Sequence, residues 1–275
     1  MERKLKNSDS SGTILVYNGQ RPEGGSMVLA DRAKHDNQPS KPPQVMGLPV
    51  HLQADYGGWL LDQYRQGRGS HVVTLNAEMA MQADQNPELR QIILAADLVI
   101  PDGAGVVLYF RTQNRRISRM PGIELAADLL TRLSASETAF FYGGVPGVVD
   151  QAAIYWQRQG LAATIVGIQH GFLAAADQSQ FLERLVTLQP SVILVGLGVP
   201  RQELWIRDHR HLCPHSIWIG VGGSFDIWAG VKTRAPQWMC RCQLEWLYRL
   251  YQEPWRWRRM LALPQFVWRS LTYKS

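Results

Sequence analysis

What this sequence lacks narrows its function before any motif is considered. No stretch approaches the roughly 18 consecutive apolar residues that cross a bilayer as a helix, and the opening "MERKLKNSDSSG" has no signal-peptide core. The expectation is a protein kept in the cytoplasm. Cysteine is scarce, with only Cys213, Cys240 and Cys242 in 275 residues. That excludes a disulfide scaffold, and Cys-Arg-Cys without a second pair lacks the spacing of a zinc site, so these are expected to be plain thiols. His209, His211 and His215 cluster loosely, but their spacing fits no metal-binding helix. There is no Gly-Lys-Ser/Thr of a Walker loop, and "VGLGVP" fails G-x-G-x-x-G at its last glycine. No Asp-x-Asp pair is present to hold a divalent ion on a nucleotide sugar. Neither a metal nor a cofactor is expected.

Acidic residues are scarce at one end only. From Val231 onward nine Lys/Arg stand against two Asp/Glu, whereas the chain up to Gly230 carries 20 against 21. Five of the ten tryptophans share that last segment, so composition marks a boundary near residue 230. A second boundary lies near residue 43, because the preceding residues are rich in Ser, Gly, Asn, Gln and Pro and read as a flexible leader. Between the two, and with 45% hydrophobic residues overall, the composition is that of a packed α/β core.

What is present from Gln44 onward is a repeated grammar. "HVVTL", "ADLVIP", "TAFFY", "ATIVGI", "SVILVG" and "SIWIGVG" are short apolar or β-branched runs, each ending at Gly, Asn, His or Asp and followed by a helical pattern. Their spacing of about 25 to 35 residues suits right-handed crossovers through one helix. Six such units predict an open, doubly wound, mostly parallel sheet of Rossmann-like type, too few strands to close a barrel. In such folds ligands lie outside the carboxyl ends of the strands. That rule puts Thr74, Asn76, Asp102, Gly143, Gly144, Gly196, Gly198, Gly222 and Gly223 on one rim.

Several of these positions admit two readings. Asp102 in "VIPDGAGV" surfaces from a buried strand before a glycine-rich turn that includes Gly103, and is either a general base or the N-cap of the next helix. Thr74 and Asn76 in "VTLNAE" suit contacts to a sugar or phosphate, or else close the turn and cap the helix. Glycines in "YGGVPG" and "VGLGVPRQE" present bare backbone N–H groups where a phosphate fits, or simply make tight turns, with Gln202 and Glu203 opening the helix. In "VGGSFDIWAG", Asp226 is either a sugar ligand or another cap.

In this order "VTLNAE", "ADLVIPDGAGVVL", "YGGVPGVVDQAA", "HGF", "LVGLGVPRQELWI", "IGVGGSFDIWAG" and "RAPQWMCRCQLEWLYRLYQEPWRWRR" resemble the WecG/TagA/CpsF family of glycosyltransferases over about Val45 to Arg259. The resemblance implies inverting, metal-independent transfer of N-acetylmannosamine or a related sugar from a UDP-sugar to the 4-hydroxyl of GlcNAc on undecaprenyl diphosphate, in surface-polysaccharide or teichoic-acid-type biosynthesis. It carries the base onto Asp102 and companion polar roles onto Thr74 and Asn76. The rim residues Gly103, Gly143, Gly144, Gly196, Gly198, Gln202, Glu203, Gly222, Gly223 and Asp226 become the expected substrate contacts. Glu124 and His51 depart from the family pattern. A rival reading keeps the fold without catalysis, as a nucleotide-sugar- or membrane-binding regulator.

The tail is read as an amphipathic helix from Pro236 to Glu253 with Met239, Cys242, Trp246 and Leu250 on one face and Arg241, Glu245 and Arg249 on another. Beyond Pro254, "WRWRRMLAL" and "QFVWRSLTY" suit the headgroup zone of an anionic membrane, on the inner face of the plasma membrane. The same residue types suit nucleic acid, but the rest of the chain is near neutral and carries no nucleic-acid module, so no nucleic-acid partner is expected. The resemblance implies that this appendage brings arginines over the active site. Arg234, Arg249 and Arg256 are the expected diphosphate contacts, with Arg258 and Arg259 behind them. The sequence leaves room for a homo-oligomer.

Overall fold

A computed structural model of the protein describes residues 41–273. The leader as far as residue 40, and the side chains of Arg256 and Arg259, lie outside that description. After a tight hairpin of β1 (Gln44–Val45) and β2 (Leu48–Pro49), the six expected runs become β3 (Ser70–Leu75), β4 (Leu98–Pro101), β5 (Thr138–Gly143), β6 (Thr164–Gln169), β7 (Val192–Gly196) and β8 (Ile217–Gly220). They form one parallel sheet in the order β4-β3-β8-β7-β5-β6. The fold is thus α/β and doubly wound, as the spacing predicts.

Period-2 alternation divides the strands between two helical layers. Val72, Leu98, Ile100, Phe141, Leu194 and Ile219 face α1 (Tyr56–Arg65), α5 (Gly122–Arg132), α6 (Val148–Arg158) and α9 (Ser224–Trp228). Their neighbours Val73, Leu75 and Val99 face α2 (Ala77–Gln85), α3 (Pro87–Leu94) and α4 (Ala104–Thr112). Farther along that side, Phe140, Ile193 and Trp218 meet α7 (Gln178–Leu188) and α8 (Arg201–His209). Burying each such large side chain is worth roughly 1.5–3 kcal/mol, which is why both layers hold. Local chemistry starts the helices: Asp55 and Asn76 accept N–H bonds from Gly58 and Met79, and Asn86 caps α3 ahead of Pro87.

The tail departs from the single helix expected over Pro236 to Glu253. It forms α10 (Gln237–Arg241) and α11 (Glu245–Gln252), with a break between them. Gln243 sits at φ 60, while Gln243 N–H bonds to Cys240 C=O and Leu244 N–H to Met239 C=O. That paired closure is a helix-terminating motif usually built on glycine, so a glutamine there gave no warning. A turn at Pro254–Arg256 leads to α12 (Trp257–Met260) and α13 (Ala262–Thr272). α13 joins the second layer: Phe266 is fully buried among residues of β3, α2 and α4, Tyr273 accepts from Arg90, and Arg269 pairs with Asp84.

Candidate active site

The carboxyl ends of β4, β3, β8 and β7 open onto a cavity of about 210 Å³. Thr74, Asn76 and Asp102 line one side of it, Gly198, Gln202, Gly222 and Gly223 another, and Lys232, Arg234, Glu245 and Arg249 close it from the C-terminal segment. A second cavity of about 130 Å³ adjoins it, and Asp102, Asn76, Glu78, Glu245 and Arg249 line both.

Asp102 follows the last residue of β4, and its backbone N–H bonds to Leu75 C=O. It does not cap α4: Gly103 holds the N-cap position, and no side chain bonds there. The carboxylate is 24% exposed, and Arg119 Nη2 stands 3.9 Å from Oδ1. Burial raises its pKa to about 6, Glu245 adds to the rise, and Arg119, Arg249 and the Gly122 N–H pull the other way. A carboxylate so placed is ionised at neutral pH yet far more basic than an ordinary aspartate, which suits proton abstraction.

Glu245 organises the cations around it. It is 3% exposed, accepts from Arg119 at 2.6 Å and from Arg249 at 2.5 Å, and holds its charge below the usual glutamate range through these partners against the cost of burial. Arg119 also donates to the Asp102 backbone carbonyl. The C-terminal segment is therefore tied to the candidate base through one guanidinium. Arg234 pairs with Glu124, and its buried Nε has no hydrogen-bond partner. Lys232 bridges Asp226 at 2.9 Å and Glu253 at 3.3 Å.

A family model described as the glycosyl transferase WecG/TagA/CpsF family matches residues 43–275. The chain belongs to this family. Two relatives are both named N-acetylglucosaminyldiphosphoundecaprenol N-acetyl-beta-D-mannosaminyltransferase. The one from Bacillus spizizenii is 35% identical over 82% of this chain and 84% of its own length. The one from Bacillus subtilis is 34% identical over 72% of this chain and 78% of its own.

Within this WecG/TagA/CpsF fold the expected rim residues divide by what they touch. Thr74 lines the main cavity while its hydroxyl donates to Gly220 C=O, and Asn76 lines it while its Oδ1 caps α2. Gln202 is a clamp: its Oε1 accepts the N–H groups of Gly198 and Gly222 at 3.2 and 3.0 Å, stitching two glycine turns together. Its Nε2 donates to Glu203 at 2.8 Å. Glu203 is 1% exposed beneath the rim, and burial lifts its pKa to about 7.

Gly103 lines the second cavity, whereas Gly143, Gly144, Gly196 and Asp226 line neither. Gly143 and Gly196 are closely packed, and Gly144 sits at φ +69: at Gly143, φ is +130 and a Cβ would meet the Gly196 carbonyl oxygen at 2.4 Å. Asp226 acts through Lys232. Of the three expected diphosphate contacts, Arg234 and Arg249 reach the main cavity, and the side chain of Arg256 is outside the described residues. Glu124 holds Arg234, and His51 accepts the Val99 N–H at the edge of β4. Sequence reasoning missed Arg119. A signal for it existed, because it stands just before Pro121 at the start of α5, and helices flanking a parallel sheet begin at the ligand-binding rim.

Among the described residues no three His, Cys, Asp or Glu side chains are grouped to hold a metal ion. No described helix is long and apolar enough to cross a membrane. The C-terminal segment nevertheless exposes Trp255, Trp257 and Leu261 ahead of α13, and Val267, Trp268 and Leu271 on α13, whose Phe266 and Ser270 are buried.

Proposed function

We propose that this protein transfers N-acetylmannosamine or a closely related sugar from a UDP-sugar to the 4-hydroxyl of GlcNAc on undecaprenyl diphosphate. The observation that carries this reading is Asp102, a carboxylate free of capping duty where two cavities meet, with arginines on either side. The family membership and the two relatives' names support the acceptor and the sugar class.

In the reaction, Asp102 takes the proton of the acceptor hydroxyl while that oxygen attacks the anomeric carbon from the face opposite UDP. The new C–O bond forms as the bond from the anomeric carbon to the UDP oxygen breaks, and configuration inverts. A general base of this kind contributes about 10²- to 10⁴-fold. Arg234 and Lys232, held at the cavity wall by carboxylates, meet the charge developing on the leaving diphosphate, so no metal is required. The unpartnered Nε of Arg234 supports that role.

The exposed tryptophans and leucines of the C-terminal helices rest on the inner, anionic face of the plasma membrane, where the acceptor lipid is embedded. A screen of UDP-sugars with a GlcNAc-diphosphate-lipid tests the proposal. UDP release that requires the lipid is expected, and a folded chain releasing none with any donor favours the non-catalytic regulator instead.

A further inference from the structure

Glu203 lines neither cavity, yet it is bonded to Gln202, which lines the main one. Both side chains are 1% exposed. Burying a carboxyl costs free energy unless its oxygens are paired. Here Oε1 accepts from Gln202 Nε2 at 2.8 Å, and Oε2 has no hydrogen-bond partner among the described residues. The fold therefore gains less from this side chain than it would from an apolar one of the same length. A buried group kept at such a cost is explained by what it holds in place. We infer that Glu203 is a positioning residue for the sugar-nucleotide donor: its carboxyl locks the Gln202 amide in one orientation, and that amide fixes two glycine turns of the main cavity. This inference rests on the transferase reading above.

The clamp spans two strand ends. β7 and β8 are neighbours in the sheet, and Gly198 and Gly222 follow them. Both glycines take left-handed φ, +75 and +52, and neither has a heavy atom within 4 Å of where a Cβ would stand. Turns of this kind have the widest conformational freedom in a chain. Gln202 Oε1 accepts the N–H of Gly198 at 3.2 Å and of Gly222 at 3.0 Å, so one amide sets the separation of the two turns. A glutamine amide is nearly symmetric in shape, and reversed it would set N–H against N–H at both glycines. An acceptor at Glu203 Oε1 admits only the NH2 end. Gly220 makes room for the pair, since a Cβ there would meet Gln202 Nε2 at 2.4 Å and Glu203 Oε1 at 3.0 Å. With their N–H groups engaged, the two turns wall the donor space at fixed positions, and binding does not have to order them.

The test compares the full chain with Glu203→Met, which keeps the length and removes the acceptor, and with Glu203→Gln, which restores it. UDP affinity is read by calorimetry, the donor KM and kcat by UDP release, stability by thermal melting, and the clamp by amide hydrogen exchange at Gly198 and Gly222. The Met variant is expected to melt at or above the wild-type temperature and to exchange those two amides faster. It should bind UDP and the UDP-sugar about tenfold more weakly, as one buried N–H donor left unpaired requires. Its kcat should stay within about threefold of wild type, because binding and not chemistry is lost. The Gln variant should recover the wild-type donor KM to within about twofold, since its amide oxygen accepts as the carboxyl does. A Met variant that melts below wild type or fails to fold makes Glu203 a stability residue and overturns the inference. Unchanged UDP affinity or unchanged exchange in the Met variant, or a Gln variant as weak as the Met one, also overturns it, while transfer by wild type keeps the transferase reading. Wild type that binds UDP in this Glu203-dependent way but transfers no sugar loses the transferase reading and keeps the clamp. Wild type that binds no UDP ends both.

Discussion

Replacing Asp102 with asparagine should cost activity and add stability. An ordinary aspartate titrates near 3.8, and burial lifts this one to about 6 despite Arg119 and Arg249. The unfolded chain therefore ionises this carboxyl first as pH rises, so the destabilisation that Asp102 contributes is absent below about 3.8 and grows until pH passes about 6. The gap corresponds to about 3 kcal/mol at pH 7.5 and about half of that at pH 5. A neutral amide of the same shape avoids the loss, so Asp102→Asn should melt several degrees higher than wild type at pH 7.5, with the difference shrinking at pH 5. Its kcat should fall by about 10²- to 10⁴-fold while UDP still binds. Thermal melts at the two pH values, with UDP release on the same samples, make the check. Undiminished turnover, or a variant less stable than wild type at both pH values, would refute the reasoning.

Other outcomes follow from the same contacts. Glu245→Gln removes the charge that Arg119 and Arg249 share, so stability at neutral pH should drop by about 2–3 kcal/mol in denaturant titrations. Because Glu245 also helps to raise Asp102, the acid limb of kcat/KM should move to lower pH in that variant, and an unmoved limb would separate the two carboxylates. In wild type that limb should fall as pH drops through about 6, where Asp102 takes up its proton. Phe266→Ala empties a fully buried site between α13 and the sheet and should cost about 3–5 kcal/mol, read by chemical unfolding. Trp257→Ser with Trp268→Ser should weaken sedimentation with anionic vesicles by about tenfold or more while far-ultraviolet circular dichroism stays unchanged.

The sheet was legible in the sequence because each strand is an apolar run closed by a turn or capping residue, and burial on both faces of a parallel sheet demands that pattern. The rim followed from the fold, and Thr74, Asn76 and Asp102 do meet there. Strand order was not legible, since spacing says only that crossovers are long enough. The C-terminal segment was half legible. Its period correctly grouped Glu245 with Arg249, but periodicity cannot say which face is inside. Here the charged face turns toward a polar cavity, and Glu245 becomes one of the most buried residues of its helix. The break at Gln243 carried no glycine to mark it. The clamp that Gln202 forms on two glycine turns was not legible, because a side chain opening a helix at the rim can reach two neighbouring turns as easily as a substrate.

The most direct test of the central claim is the structure of the product. The full chain is incubated with UDP-N-acetylmannosamine and GlcNAc-diphosphoundecaprenol, and the lipid is read by mass spectrometry and NMR. One added N-acetylhexosamine on O4 of GlcNAc, with inverted anomeric configuration and one UDP released per linkage, is the expected result. Retained configuration, linkage to another hydroxyl, or UDP released with no change in the lipid would contradict it.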